Sequence, residues 1–268
     1  MPYEMQAILA KCDAEDLKVL LRQIDSHVNL SSDTELKANL GAFDRARSAE
    51  AHAFLLRTIE REIRYLGSSE LAYAKRKLIG IEDPPGVGIF EVIEDVSARL
   101  KVKQKYFGTV EARLERLVRA TAERTFFKLT PEQQRELFEK AGIGKKQTKE
   151  FFEKLKSNKA HFVPLLLSVL GPVVTKQLVQ GLAISVVAGY MGKEAAKAFI
   201  ANLALRFPLW AEWLGPIVWG ISLGWLAIDL QAAAYRKTIP ILLYLGIVGL
   251  RDGPEEGEAF WDTPSNEG

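Results

Sequence analysis

The stretch from His161 to Leu250 constrains the fold of this chain more than any motif does. Across its ~90 residues only nine side chains are Asp, Glu, Lys or Arg, whereas roughly a third of the residues before it are charged. A break of that size divides a chain into parts that suit different surroundings. The first part suits water; the second suits a deep protein core or lipid.

Spacing within the segment sharpens that choice. Its charge-free runs, Phe162 to Thr175, Gln177 to Gly192, Trp213 to Ile228 and Thr238 to Leu250, are about 14, 16, 16 and 13 residues long. An upright span of a bilayer needs roughly twenty. Pro164, Pro172, Pro208, Pro216 and Pro240 punctuate the runs, so short packed or re-entrant hairpins are expected rather than long rods. Trp210, Trp213, Trp219 and Trp225 gather four of the five tryptophans in one short region, and Gly220 with Gly224 forms a GxxxG. Indoles favour the bilayer interface and paired small residues permit close helix approach, which marks these six residues as candidate membrane contacts. Arg236 and Lys237, just before the last run, are candidate contacts for anionic headgroups or a partner. The same tryptophans opposite glycines would equally fill the core of a soluble helical protein.

The residues ahead of the break repeat an amphipathic helical pattern. Asp13 with Asp16 caps a helix whose Leu17, Leu20, Leu21 and Ile24 share a face. Ser48 starts another, carrying Leu55, Ile59, Ile63 and Leu66, with Gly67 as its stop. Further helices follow from Ile89 and Val110, and Thr130-Pro131 with Gln133 is a strong start signal. A last charged helix turns Phe151, Phe152 and Leu155 inward. No stretch alternates long enough for a sheet, so the fold class is all-α, a multi-helix bundle. The expected organisation is a small helical leading module at 1–45, an amphipathic charged domain at 46–160, the apolar hairpin region at 161–250 and an acidic disordered tail at 251–268.

Catalytic signatures are missing. His27, His52 and His161 stand in separate contexts, without an HExxH or a cysteine cluster, so no metal and no cofactor is expected. The glycines of IEDPPGVG (81–87 and Gly88) and of GIGKKQT lack the phosphate-loop pattern. Cys12 is the sole cysteine, which rules out an internal disulfide and suits a reducing compartment. Net charge is +2, spread as about +4 before residue 161, +3 over the apolar segment and −5 over the tail, so no basic domain emerges and nucleic acid is not an expected partner. The acidic N-terminus, with no apolar core, is not a signal peptide.

Four stretches, ILAKCDAEDLKVLLRQI, TIEREIRYLGSSELAYAKRKLIG, VIEDVSARLKVK and AYRKTIPILLYLGIVGLR, give the chain a family likeness. Together they resemble the YaaW family of uncharacterised bacterial proteins, most specifically through Ala234 to Pro240 and the apolar helix after it. Some members carry a label similar to ubiquinol–cytochrome c chaperones, so the resemblance implies an assembly factor acting near a membrane and brings no catalytic residues. The residues and the resemblance lead to one expectation: a cytoplasmic, non-enzymatic helical protein that associates with or conditionally inserts into the inner face of the cell membrane through its apolar hairpins. A protein partner and self-association are also expected. The alternative is a soluble interaction or assembly-chaperone protein whose apolar segment is permanent core.

Overall fold

The computed structural model describes residues 4–25, 48–67, 87–157, 162–191, 193–206 and 235–262. In chain order these form α1 (Gln6–Ala10), α2 (Ala14–Asp25), α3 (Ala49–Leu66), α4 (Ile89–Arg99), α5 (Val110–Lys128) and α6 (Pro131–Lys140). Then come α7 (Lys145–Ser157), α8 (Phe162–Met191), α9 (Lys193–Arg206), α10 (Tyr235–Gly249) and α11 (Ala259–Asp262). No strand occurs among the described residues, and the fold is all-α.

Side-chain caps start the helices where the sequence predicts. Asp13 Oδ1 accepts from the amides of Glu15 and Asp16 at 2.9 Å each, while Asp16 Oδ2 accepts from Asp13 N at 2.9 Å, a reciprocal box that opens α2. Ser48 Oγ caps α3 and Thr109 Oγ1 caps α5. At α6, Thr130 Oγ1 accepts from Gln133 N at 3.3 Å and Gln133 Oε1 accepts from Thr130 N at 2.9 Å, with Pro131 in the first turn.

Three helices make the centre. α5, α8 and α10 pack against one another, and α10 also touches α1, α2, α3 and α4. Every described side chain of α10 from Lys237 onward is buried, as is α8 from Leu178 to Gly189. Gly246 is what lets α10 approach α5: a Cβ there would meet Val118 Cγ2 at 2.7 Å and collide with the Leu114 carbonyl. Helices from both sides of the composition break therefore share one core.

At one end of α5 a phenylalanine cluster ties four helices together. Phe126 of α5 lies 4.5 Å from Phe162 of α8, Phe138 of α6 lies 4.8 Å from Phe151 of α7, and Phe151 lies 5.4 Å from Phe152, all between ring centroids. Phe151 and Leu155 are buried and Phe152 is half-buried, as their spacing predicts.

The tail departs from its expected disorder. Residues 251–262 turn back onto α5 and end in α11, with Phe260 only 1% exposed. Two adjacent aromatics, Phe260 and Trp261, give this acidic stretch enough apolar surface to anchor it, their rings meeting edge to face at 4.8 Å.

Candidate functional site

The sequence places its candidate contacts in two groups. Trp210, Trp213, Trp219, Gly220, Gly224 and Trp225 lie outside the described residues, as does the side chain of Arg236. Lys237 is placed differently from the headgroup contact expected of it. Its side chain is 8% exposed, and Nζ donates to the carbonyl of Ile24 at 2.7 Å. A lysine at the first turn of a buried helix reaches the C-terminal end of α2, where an unpaired carbonyl awaits a donor, and this partner takes the ammonium inward.

The most exposed of the described large apolar side chains, Val173, belongs to α8. This 30-residue helix is the one described helix long and apolar enough to cross a membrane, and only 33% of its most apolar 18-residue stretch is buried. Gly171 breaks the helix with φ +79°, a left-handed conformation that glycine adopts without strain, and Pro172 follows. After the kink the helix enters the core. Before it, Phe162, Val163 and Leu166 are already buried and Leu165, Leu167, Val169 and Leu170 are half-buried against the core, and just past the kink Val173 is 66% exposed. A proline after a glycine inside an apolar run was the signal for this surface; the sequence reading used it only to divide hairpins.

Opposite this surface, α5 carries charges into the core. Glu111, Glu115, Arg116, Arg119 and Glu123 are all buried. The returning tail satisfies several of them. Arg116 pairs with Glu256, donates to the carbonyls of Lys105 and Phe107, and stacks 4.7 Å from the Phe107 ring. Arg119 donates to the Phe260 carbonyl and faces its ring at 5.4 Å. Glu255 accepts from Thr109 Oγ1 and, at 3.0 Å, from Ala112 N, where an anion complements the start of α5.

Glu115 lies beneath this strap. Its Oε2 accepts from the Glu255 amide at 2.9 Å, while the buried Oε1 has no hydrogen-bond partner among the described residues. Burial pushes its carboxyl up to about 8, helped by the charges of Glu111 and Glu255 and opposed by the Glu255 amide and Lys11. Lys11, hydrogen-bonded to Glu111, is held above the usual lysine range by that bond. Nearby, Asp16 accepts from Tyr244 Oη at 2.7 Å and from Arg251 Nη1 at 2.9 Å, which fastens α2 to the C-terminal half of α10 and to the strap after it. Spacing could not announce this cluster, because its members come from four separate stretches.

The charged loop after α4 is absorbed into the same arrangement. Lys101 sits at φ 52° and its carbonyl accepts from Arg124, so the KVKQK backbone is held to α5. Tyr106 and Phe107 remain partly exposed at its end.

Among the described residues no group of three or more His, Cys, Asp or Glu side chains is arranged to hold a metal ion. The Glu115 cluster lies between the tail, through the Glu255 amide, and α10, through Gly249, and it fastens these elements to α5. No protein-family model, curated protein or solved structure matches the chain.

Proposed function

We propose that this chain is a non-enzymatic α-helical protein that docks on membranes through the apolar surface of α8 and inserts its apolar helices when they are released from α5. The observation that carries the reading is that α8, long and apolar enough to span, fully buries only 33% of its most apolar 18-residue stretch. A helix serving only as core would bury that stretch, since exposed apolar surface costs ~25 cal/mol per Å². The kink at Gly171 and Pro172 leaves Val173 66% exposed. In this reading the protein acts at the inner face of the cell membrane.

A second reading, a soluble interaction or assembly-chaperone protein, draws on the burial of α10 from Lys237 onward. The resemblance to the YaaW family and its chaperone-like label accords with either reading.

Flotation with vesicles of mixed zwitterionic and anionic lipid separates them. The expected result is that the wild type floats and that Val173→Glu abolishes flotation while leaving the thermal unfolding curve in place. A wild type that stays in the soluble fraction at neutral and acidic pH would sink the membrane reading and favour the second.

A further inference from the structure

A groove of about 1010 Å³ opens between α6 and α7. Its walls are two helix faces. α6 contributes Pro131, Gln134, Arg135 and Glu139, and α7 contributes Lys145, Thr148, Lys149, Glu153 and Lys156, in each case at the spacing of a single helical side. The floor is apolar: Phe127, Leu129, Ile143, Phe152 and Leu155. Phe127 is 38% exposed there, yet its ring is held edge to face against Phe162 at 5.6 Å, so the floor is preorganised by the phenylalanine cluster.

We propose that this groove docks an acidic amphipathic helix of a partner protein. Length supports a helical occupant: from Lys145 to Lys156, α7 rises about 16 Å, three turns, and a second helix laid alongside would meet the floor over the same distance. Charge supports an acidic one. The rim holds Arg135, Lys145, Lys149 and Lys156 against Glu139 and Glu153, and Glu153 already faces Lys149 at 3.8 Å. Arg135 also acts on Glu132 beside it in α6. Lys145, Lys149 and Lys156 are strung along the whole wall of α7, which matches carboxylates repeated along a helix. An acyl chain with one headgroup would leave most of that row unmatched, and nucleic acid would meet the two rim carboxylates and an apolar floor.

The test uses the full chain and a labelled peptide of about fourteen residues, with leucines on one face and glutamates flanking them, read by fluorescence anisotropy at low and physiological salt. A counterpart with lysine in place of each glutamate is the control. The expected result is binding of the acidic peptide that weakens with salt, gains helical circular dichroism and falls about tenfold or more in the triple variant Lys145→Glu, Lys149→Glu, Lys156→Glu. The variant Lys103→Glu, outside the groove, retains wild-type affinity. All four substituted side chains are exposed, so the far-ultraviolet spectrum and unfolding curve stay unchanged. Equal affinity for both peptides, an unaffected triple variant, or no binding of the acidic peptide would overturn the proposal. So would displacement of that peptide by laurate or single-stranded DNA at lower concentration, or concentration-dependent self-association through this face that the peptide does not disrupt.

Discussion

Replacing Glu115 by glutamine tests whether burial controls the fit of the strap. In the folded chain the carboxyl titrates at about 8, against an ordinary value of 4.5. Between those values the folded state holds a proton that the unfolded state has released. Stability from the neutral carboxyl is therefore fully present below about 4.5, declines as pH rises through the window, and is lost above about 8. The slope from this one group is at most about 1.4 kcal/mol per pH unit. Glu115→Gln preserves the acceptor for the Glu255 amide and removes the titration. Urea unfolding from about pH 5 to 9, analysed by linear extrapolation, should show the variant gaining on the wild type with each pH unit, then running parallel above about 8. All other titrating groups are common to both chains, so the difference isolates this carboxyl. A difference that does not change with pH would refute the reasoning, because Glu115 would then have the same proton occupancy folded and unfolded.

Two further outcomes follow from the packing. Gly246→Ala puts a methyl group against Leu114 and Val118, so it should cost about 1–3 kcal/mol by urea unfolding, although alanine is the better helix former at an open site; no loss of stability would show that α10 and α5 do not meet this closely. On addition of anionic vesicles, amide hydrogen exchange should change first over residues 162–174, with α10 retaining its protection longest; earlier loss of protection in α10 would contradict the order argued below.

Much of the fold was legible because local chemistry and tertiary packing agree. Asp13 with Asp16, Ser48, and Thr130 with Pro131 and Gln133 each marked a helix start, since a capping side chain acts on amides two or three residues away. Phe151 and Leu155 were legible as inward residues for the same reason: periodicity is local. Lys237 was misjudged because its partner, Ile24 O, is more than two hundred residues distant, and a lysine beside an apolar run reads as a membrane-edge residue until that carbonyl is placed. The strap was misjudged because the acidic composition of the tail outweighed Phe260 and Trp261. Its order depends on Arg116 and Arg119, which in sequence are ordinary members of a charged helix. The six candidates between Trp210 and Trp225 lie outside the described residues, and the exposed Val173 at the α8 kink was not among the candidates.

The buried charges of α5 bear directly on how the apolar helices could exchange a protein core for lipid. Where α8 and α10 are buried, their apolar surface would stay out of water in either packing, so that part of the hydrophobic contribution largely cancels, and only the exposed stretch around Val173 would gain from lipid. Desolvation does not cancel: Glu111, Glu115, Arg116 and Arg119 would regain water when the helices leave, which lowers the cost of release. What opposes release is the set of polar anchors that a bilayer cannot replace. On α10 these are Lys237 to the Ile24 carbonyl and Tyr244 to Asp16, each of which would carry an unsatisfied polar group toward hydrocarbon. Among the described residues, the stretch of α8 before Gly171 has no such long-range anchor beyond the weak 3.4 Å contact from Gln147 to the Val169 carbonyl, and Ser168 bonds within the helix to Leu165, whereas past the kink Lys176 donates to the Arg251 carbonyl at 2.6 Å. In the proposed membrane reading, the stretch before Gly171 would meet lipid with α10 still in place, and the opening of the strap over Arg116 and Arg119 would separate docking from insertion.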